Sequence, residues 1–347
     1  MLTAKENMRQ TIFGGQPDRF VNQYEAVNLM FHPFFMASPM VAPGSPPEKN
    51  AWGVTNAWLE GQPGMFPVHT PELIVIKDIE NWREYVKAPS LVFPDELWNA
   101  AKDMFNAADG NLAYKAAFVA PGLFEQTHHL SEICNALGYY ITNPNDMKDL
   151  IKYLTEWELE LAEGICSNLD LDCIFHHDDW GTELSTFLRP EMFAEFFVEP
   201  YKEIYGYYHD HGCELVIHHS DAYGATLVPY MIEMGIDVWQ GVMESNKSFE
   251  LLEKYSGQIT FMGNIDNKRV DFDGRTQEDV ARAVIAATPN TNTASYIPCI
   301  TQGGPGSVFP GGYDAITEEI DKRSVELFGV SLDDIKANRL DMPNLFG

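Results

Sequence analysis

Apolar and polar positions change their period along this chain. From about residue 72 onward, short β-branched and aromatic runs alternate with longer stretches whose apolar residues recur at helical spacing. The runs Leu73–Ile76, Tyr114–Val119, Leu171–Phe175, Glu214–Ile217, Ile236–Trp239, Ile259–Met262 and Ala294–Ile297 predict strands. Between them, 145–168, 190–211, 225–234, 248–255, 277–287 and 313–328 predict helices, each opening near a Pro, Ser, Asn or Asp suited to an N-cap or first turn. Strands alternating with helices of this length imply parallel βαβ units. About seven of them in one chain predict an α/β fold of the closed (β/α)8 TIM-barrel type rather than an open sheet.

Residues 1–70 read differently. A helix is expected over Ala4 to Phe13, followed by Gly14-Gly-Gln-Pro-Asp-Arg19 and a Pro- and Met-rich stretch from Phe31 to Pro47. With many turn formers and little periodicity, this part is expected to be an N-terminal cap or lid within a single domain spanning 1–347.

Two strands end in unusual chemistry. Cys173-Ile-Phe-His-His-Asp-Asp-Trp-Gly181 and Glu214-Leu-Val-Ile-His-His-Ser-Asp221 each run from buried-strand character into imidazoles and carboxylates. The other strand ends are also polar: Glu125 and Gln126, Glu183, Gln240 and Glu244, Asn264 and Asp266, then Cys299, Thr301 and Gln302. A lone loop carboxylate is usually just solvated. Recurrence at the same relative place in successive βα units marks a shared rim where an enzyme of this architecture keeps its active site.

Composition narrows the partners. The chain of 347 residues is 45% hydrophobic and 21% charged, with a formal net charge of -28. That charge repels phosphate, so nucleic acid and anionic membrane are not expected partners. No apolar run reaches transmembrane length and the N-terminus lacks a signal pattern, which suggests a cytoplasmic protein. Five scattered cysteines without a CxxC imply reduced thiols, Cys299 standing apart after Pro298 at a strand end. The oligomeric state stays open, a homodimer being one option.

Several segments together resemble the uroporphyrinogen decarboxylase superfamily: Gln16-Pro-Asp-Arg19, Asp78-Ile-Glu-Asn-Trp82, Gly122-Leu-Phe-Glu125, Asp178-Asp-Trp-Gly181, Pro190-Glu-Met-Phe193, Pro200-Tyr, His219-Ser-x-Asp221 and Gly263-Asn-Ile-Asp266. The resemblance implies a TIM barrel and one of two activities, decarboxylation of uroporphyrinogen or zinc-dependent methyl transfer involving corrinoid proteins or thiols. The decarboxylases carry an N-terminal arginine segment for the substrate carboxylates; here no arginine lies between Arg19 and Arg83. The methyltransferase branch is therefore favoured, with a decarboxylase-like lyase, a non-catalytic corrinoid-binding homologue and a metal-dependent hydrolase as alternatives.

That branch shows His-x-Cys after one strand and a second Cys near the last. Here His219-Ser220-Asp221 replaces His-x-Cys, and Cys299 lies about one residue from the second position. The resemblance thus implies zinc on His219, with Asp221 and Cys299 as partners and Glu183 in reserve. An oxygen-rich zinc site suits a methyl ether better than a thiol. The expected activity is demethylation of a small methylated donor, an aromatic methyl ether, with transfer to Co(I) on a separate corrinoid protein. Asp178 and Asp179, assisted by His177, are expected to orient substrate or protonate the leaving oxygen, or else to cap a neighbouring segment. Glu125, Trp180, Gln240 and Asn264 are expected to line the substrate site, with Phe31, Phe34, Phe35, Trp52, Trp58 and Phe66 nearby as stacking or packing rings.

Overall fold

The computed structural model describes residues 1–38, 41–60, 62, 64–304 and 307–339. Its main sheet has seven parallel strands: β1 (Val27–Met30), β5 (Tyr114–Val119), β6 (Cys173–His177), β7 (Leu215–His219), β8 (Val238–Val242), β9 (Thr260–Ile265) and β10 (Tyr296–Ile300), paired in that order. The short strands β2 (Glu48–Lys49), β3 (Thr55–Ala57) and β4 (Phe66–Pro67) form a separate antiparallel sheet.

The main sheet curls without closing its ladder. Among the described residues its edges, β1 and β10, do not pair with each other; Gln23, four residues ahead of β1, donates its N–H to the Pro298 carbonyl at 3.2 Å and accepts at Oε1 from Ile300 N–H at 3.3 Å. The architecture is TIM-barrel-like, with seven strands among the described residues rather than the eight expected.

Two departures explain the difference. Leu73–Ile76 is not a strand: the amides of Val75 and Ile76 both donate to the Leu130 carbonyl at a helix end, so no ladder partner is left for them. The first strand instead lies at Val27–Met30, inside the part read as a cap, where one β-branched residue ahead of a Pro-rich stretch gives no strand signal. The N-terminal segment is therefore not one lid. Helix α1 (Ala4–Ile12), closed by a Thr3/Glu6 capping box, sits at the strand beginnings: the Lys5 amide bonds the Leu112 carbonyl, Lys5 pairs with Asp172 and Arg9 with Glu214. Of the Pro- and Met-rich stretch, residues 39 and 40 lie outside those described.

The six expected helices form, and others that the sequence reading did not expect join them, among them Asp95–Ala107, Leu123–Ser131 and Ile133–Thr142. Those used below are α2 (Leu123–Ser131), α3 (Pro144–Asn168) and α4 (Glu199–Asp210), the last preceded by a helical run from Pro190 that contains a π segment, Ala194–Val198. α3 buries Met147, Leu150, Ile151, Leu154, Leu161 and Ile165 on one face. Each such side chain contributes about 2 kcal/mol of apolar burial. No helix among the described residues is long and apolar enough to cross a membrane, and all five cysteines are free.

Candidate functional site

β6 and β7 each run two residues further than the apolar pattern suggests, so both His-His pairs lie inside strands. The register sets His176 opposite His218 and His177 opposite His219. Because strand side chains alternate, one pair faces outward to the helices and the other inward. The inner rings stack with centroids 4.5 Å apart, the outer ones at 5.8 Å.

The outer pair is structural. His176 Nε2–H donates to Glu158 Oε1 on α3 at 2.6 Å. The Tyr205 hydroxyl on α4 lies between the two rings, 2.9 Å from His218 Nδ1 and 3.2 Å from His176 Nδ1. His218 Nε2–H donates to the Asp178 carbonyl at 3.1 Å and stacks on Trp180. Trp180 is thereby buried behind the site, which removes it from the substrate wall where the sequence placed it.

Asp178 is fully buried and points away from the mouth. Its carboxylate accepts from the backbone N–H groups of Phe124 (3.0 Å) and Glu125 (2.7 Å), from Trp180 Nε1–H (2.8 Å) and from the Tyr201 hydroxyl. Burial and the Glu125 charge push its pKa up, and the hydrogen bonds from Tyr201, Glu125 and Trp180 oppose them. The side chain thus caps α2, an element that precedes it in the chain. Gly122 makes this possible, since a Cβ there would fall 2.4 Å from Asp178 Cβ.

The inner pair forms the chemical centre. His177, Asp179 and His219 each offer a ligand atom, all within 4.8 Å of one another. His177 Nδ1–H donates to Glu125 Oε2 at 2.9 Å, leaving Nε2 for the cluster. Burial disfavours a charged His177, but Glu125, Asp179 and Asp221 outweigh it and raise the imidazole to about 10. His219 Nδ1–H donates to Gln240 Oε1, and Gln240 is itself held by its Nε2–H bond to the Ile300 carbonyl at 3.2 Å. Burial and neighbouring His177 lower His219 to about 4, so its free Nε2 is a neutral donor. Asp221 stands outside the three-ligand group, with Oδ2 3.8 Å from His219 Nε2 and its own N–H on Asp179 Oδ1. Burial and Asp179 raise Asp221 to about 8.

The remaining expected ligands lie elsewhere. Glu183 is half-exposed and paired with Lys268 at 2.6 Å. Cys299 is buried beneath Gln240, its Sγ 4.0 Å from Gln240 Nε2, and burial raises its pKa, which keeps a proton on the sulfur. Gln240 is fully buried, so it orients His219 rather than lining a substrate surface. Asn264 sits half-buried at the end of β9, opposite Cys299, with a left-handed backbone (φ 70°).

The donor set fits a metal ion. Two imidazoles and one carboxylate, each imidazole oriented through its second nitrogen, are a sound set for a catalytic zinc with open positions. Among the described residues no lysine or arginine pairs with Glu125, Asp179 or Asp221. Beside the centre, Gly181, Thr182, Asp221, Met243, Asn267 and Gln302 line a cavity of about 250 Å³. Phe31 and Phe35 stack on each other and continue through Phe118 and Phe175 to His219 in successive ring contacts of 4.5–6.3 Å. Phe34 and Trp52 instead pack on Trp157, and Trp58 and Phe66 stay outside this row. The rings of His128 and His129, on α2, lie next to Glu125; the sequence reading passed over them because they fall within a helix rather than at a strand end.

A curled parallel sheet with its titratable groups gathered at the strand ends defines a barrel-type α/β scaffold with one reactive face. The uroporphyrinogen decarboxylase (URO-D) profile matches residues 125–301, just over half of the chain, and the chain belongs to this family. Among solved structures it is similar to a methyltransferase from Methanosarcina mazei, with a TM-score of 0.65, 12% sequence identity, and coverage of 93% of this chain and 99% of that one. At that identity the likeness establishes a shared fold. No curated protein sequence matches.

Proposed function

We propose that this protein is a zinc-dependent methyltransferase that demethylates a small aromatic methyl ether and passes the methyl group to Co(I) of a separate corrinoid protein. The carrying observation is the convergence of His177, Asp179 and His219 within 4.8 Å at the strand ends, with Glu125 and Gln240 fixing the two imidazoles behind them. The shared fold with a methyltransferase over nearly the whole chain supports the branch. So does the lack of any arginine between Arg19 and Arg83, since carboxylate arms need bidentate partners.

His177, Asp179 and His219 are the residues that would hold zinc. Held there, zinc would supply Lewis acidity to an ether oxygen, a poor leaving group on its own. Asp221, on the cavity wall and outside the ligand group, donates the proton that the leaving oxygen takes up. The roles expected of Asp178 and Asp179 are thus divided: Asp178 holds α2 in place, Asp179 binds metal, and Asp221 handles the proton. The stacked Phe31 and Phe35 form an aromatic wall for the donor ring.

The test is an assay of the zinc-loaded protein with a methoxylated aromatic and a reduced corrinoid protein. Phenol release matched by cobalt methylation supports the proposal. Release of carbon dioxide from uroporphyrinogen at an enzyme-like rate, without methyl transfer, overturns it.

A further inference from the structure

We infer that α2 carries a second divalent transition-metal site, formed by Glu125, His128 and His129 and abutting the first through the Glu125–His177 hydrogen bond. The three residues fall at i, i+3 and i+4 of one helix and so share a face. Each offers a ligand atom within 4.8 Å of the other two. The two imidazoles are adjacent, with centroids 4.8 Å apart and near-perpendicular planes, an arrangement that separates their lone pairs instead of stacking them.

Three features make this a site. The ring nitrogens of His128 and His129 make no hydrogen bond to a described residue, while every ring of the neighbouring His176, His177, His218 and His219 set does. The helix is held at both ends: Asp178 caps its start, and His69 Nε2–H donates to the His129 carbonyl at 3.0 Å near its finish. Glu125 has two oxygens, of which one accepts from His177, leaving the other for an ion. Imidazole and carboxylate donors of this kind select zinc or another first-row dication over calcium or magnesium. The site does not depend on the methyltransferase reading, because none of its three ligands belongs to the first group.

The experiment is equilibrium dialysis of metal-stripped full-length protein against Zn(II), with metal per chain determined by elemental analysis. Two ions are expected for the wild type, and one each for His219→Asn and for the double variant His128→Gln/His129→Gln. One ion in the wild type that persists in His219→Asn but disappears in the double variant would uphold this site while overturning the one built on His219. A folded double variant that binds as much zinc as the wild type overturns the inference. Should the double variant fail to fold, carbethoxylation of wild-type His128, mapped by mass spectrometry, decides: zinc should protect it at least severalfold, and equal modification with and without zinc overturns the inference.

Discussion

The Nδ1 hydrogen of His219 rests on the side-chain carbonyl of Gln240, and this contact determines which imidazole nitrogen faces the site. Gln240 cannot turn its amide around without losing its bond to the Ile300 carbonyl, so the tautomer is fixed two steps away from the reactive face. Gln240→Leu keeps the volume and removes the acceptor. Zinc affinity should fall roughly ten- to hundredfold while the protein stays folded. Competition against a chromophoric chelator measures this, and unchanged affinity would mean that the contact does not orient the ligand.

Asp178 accepts four hydrogen bonds in a buried place, which only a carboxylate can do. Asp178→Asn turns an NH₂ group toward donors and should cost on the order of 3 kcal/mol of stability. Urea unfolding reads this directly. If activity collapsed with no loss of stability, Asp178 would have a chemical role instead of a positional one.

Asp221→Asn should retain zinc and fold but lose demethylation on the order of a hundredfold with unactivated methyl ethers. Ring-substituted donors with better leaving groups should lose less. Equal losses across such a series would remove Asp221 as the proton source, and loss of the metal would make it a ligand.

His32 is buried, and burial lowers its pKa to about 4 from the ordinary 6.5, partly offset by the Phe118 backbone. The folded state therefore binds fewer protons than the unfolded one between these values, and stability falls as pH drops through that window. At pH 5 the loss relative to pH 7 should be on the order of 2 kcal/mol from this residue. In His32→Phe the difference between unfolding free energies at pH 7 and pH 5 should shrink by that amount. An unchanged difference would show that other groups carry the acid sensitivity.

The alternation of period two with period 3.6 was enough to read the barrel-like organisation, because buried parallel strands and amphipathic helices each leave their own spacing in a sequence. Val27–Met30 escaped because Val-Asn-Leu-Met holds a single β-branched residue and runs into a Pro- and Met-rich stretch without the helical pattern that flags the other strands. Leu73–Ile76 misled because an apolar run says nothing about where its amides find acceptors. In the site, the histidine doublets on the strands of residues 173–177 and 215–219 were legible, and strand alternation then separates inner from outer rings. The sequence could not show that Cys299 lies under Gln240, which depends on how the side chains of two strands that are not neighbours in the sheet meet, or that Glu183 pairs with Lys268, which depends on how two distant segments meet. Glu125 and the His128–His129 doublet carried a readable helical spacing, but attention to strand ends alone passes over it.

The matched doublets of β6 and β7 make the chemistry a property of strand parity. Deleting one residue ahead of His176 in β6 would send His176 inward and His177 outward, so the sequence would still spell His-His while the two rings traded faces. His177 would then stand before Glu158 and Tyr205, His176 would fall into the place of Phe175, and Asp178 would take the inward position beside Glu125, so the metal cluster would lose this strand's imidazole. Composition at these positions is thus a poor guide to competence in a relative of this chain; counting residues from the start of the strand is the better one.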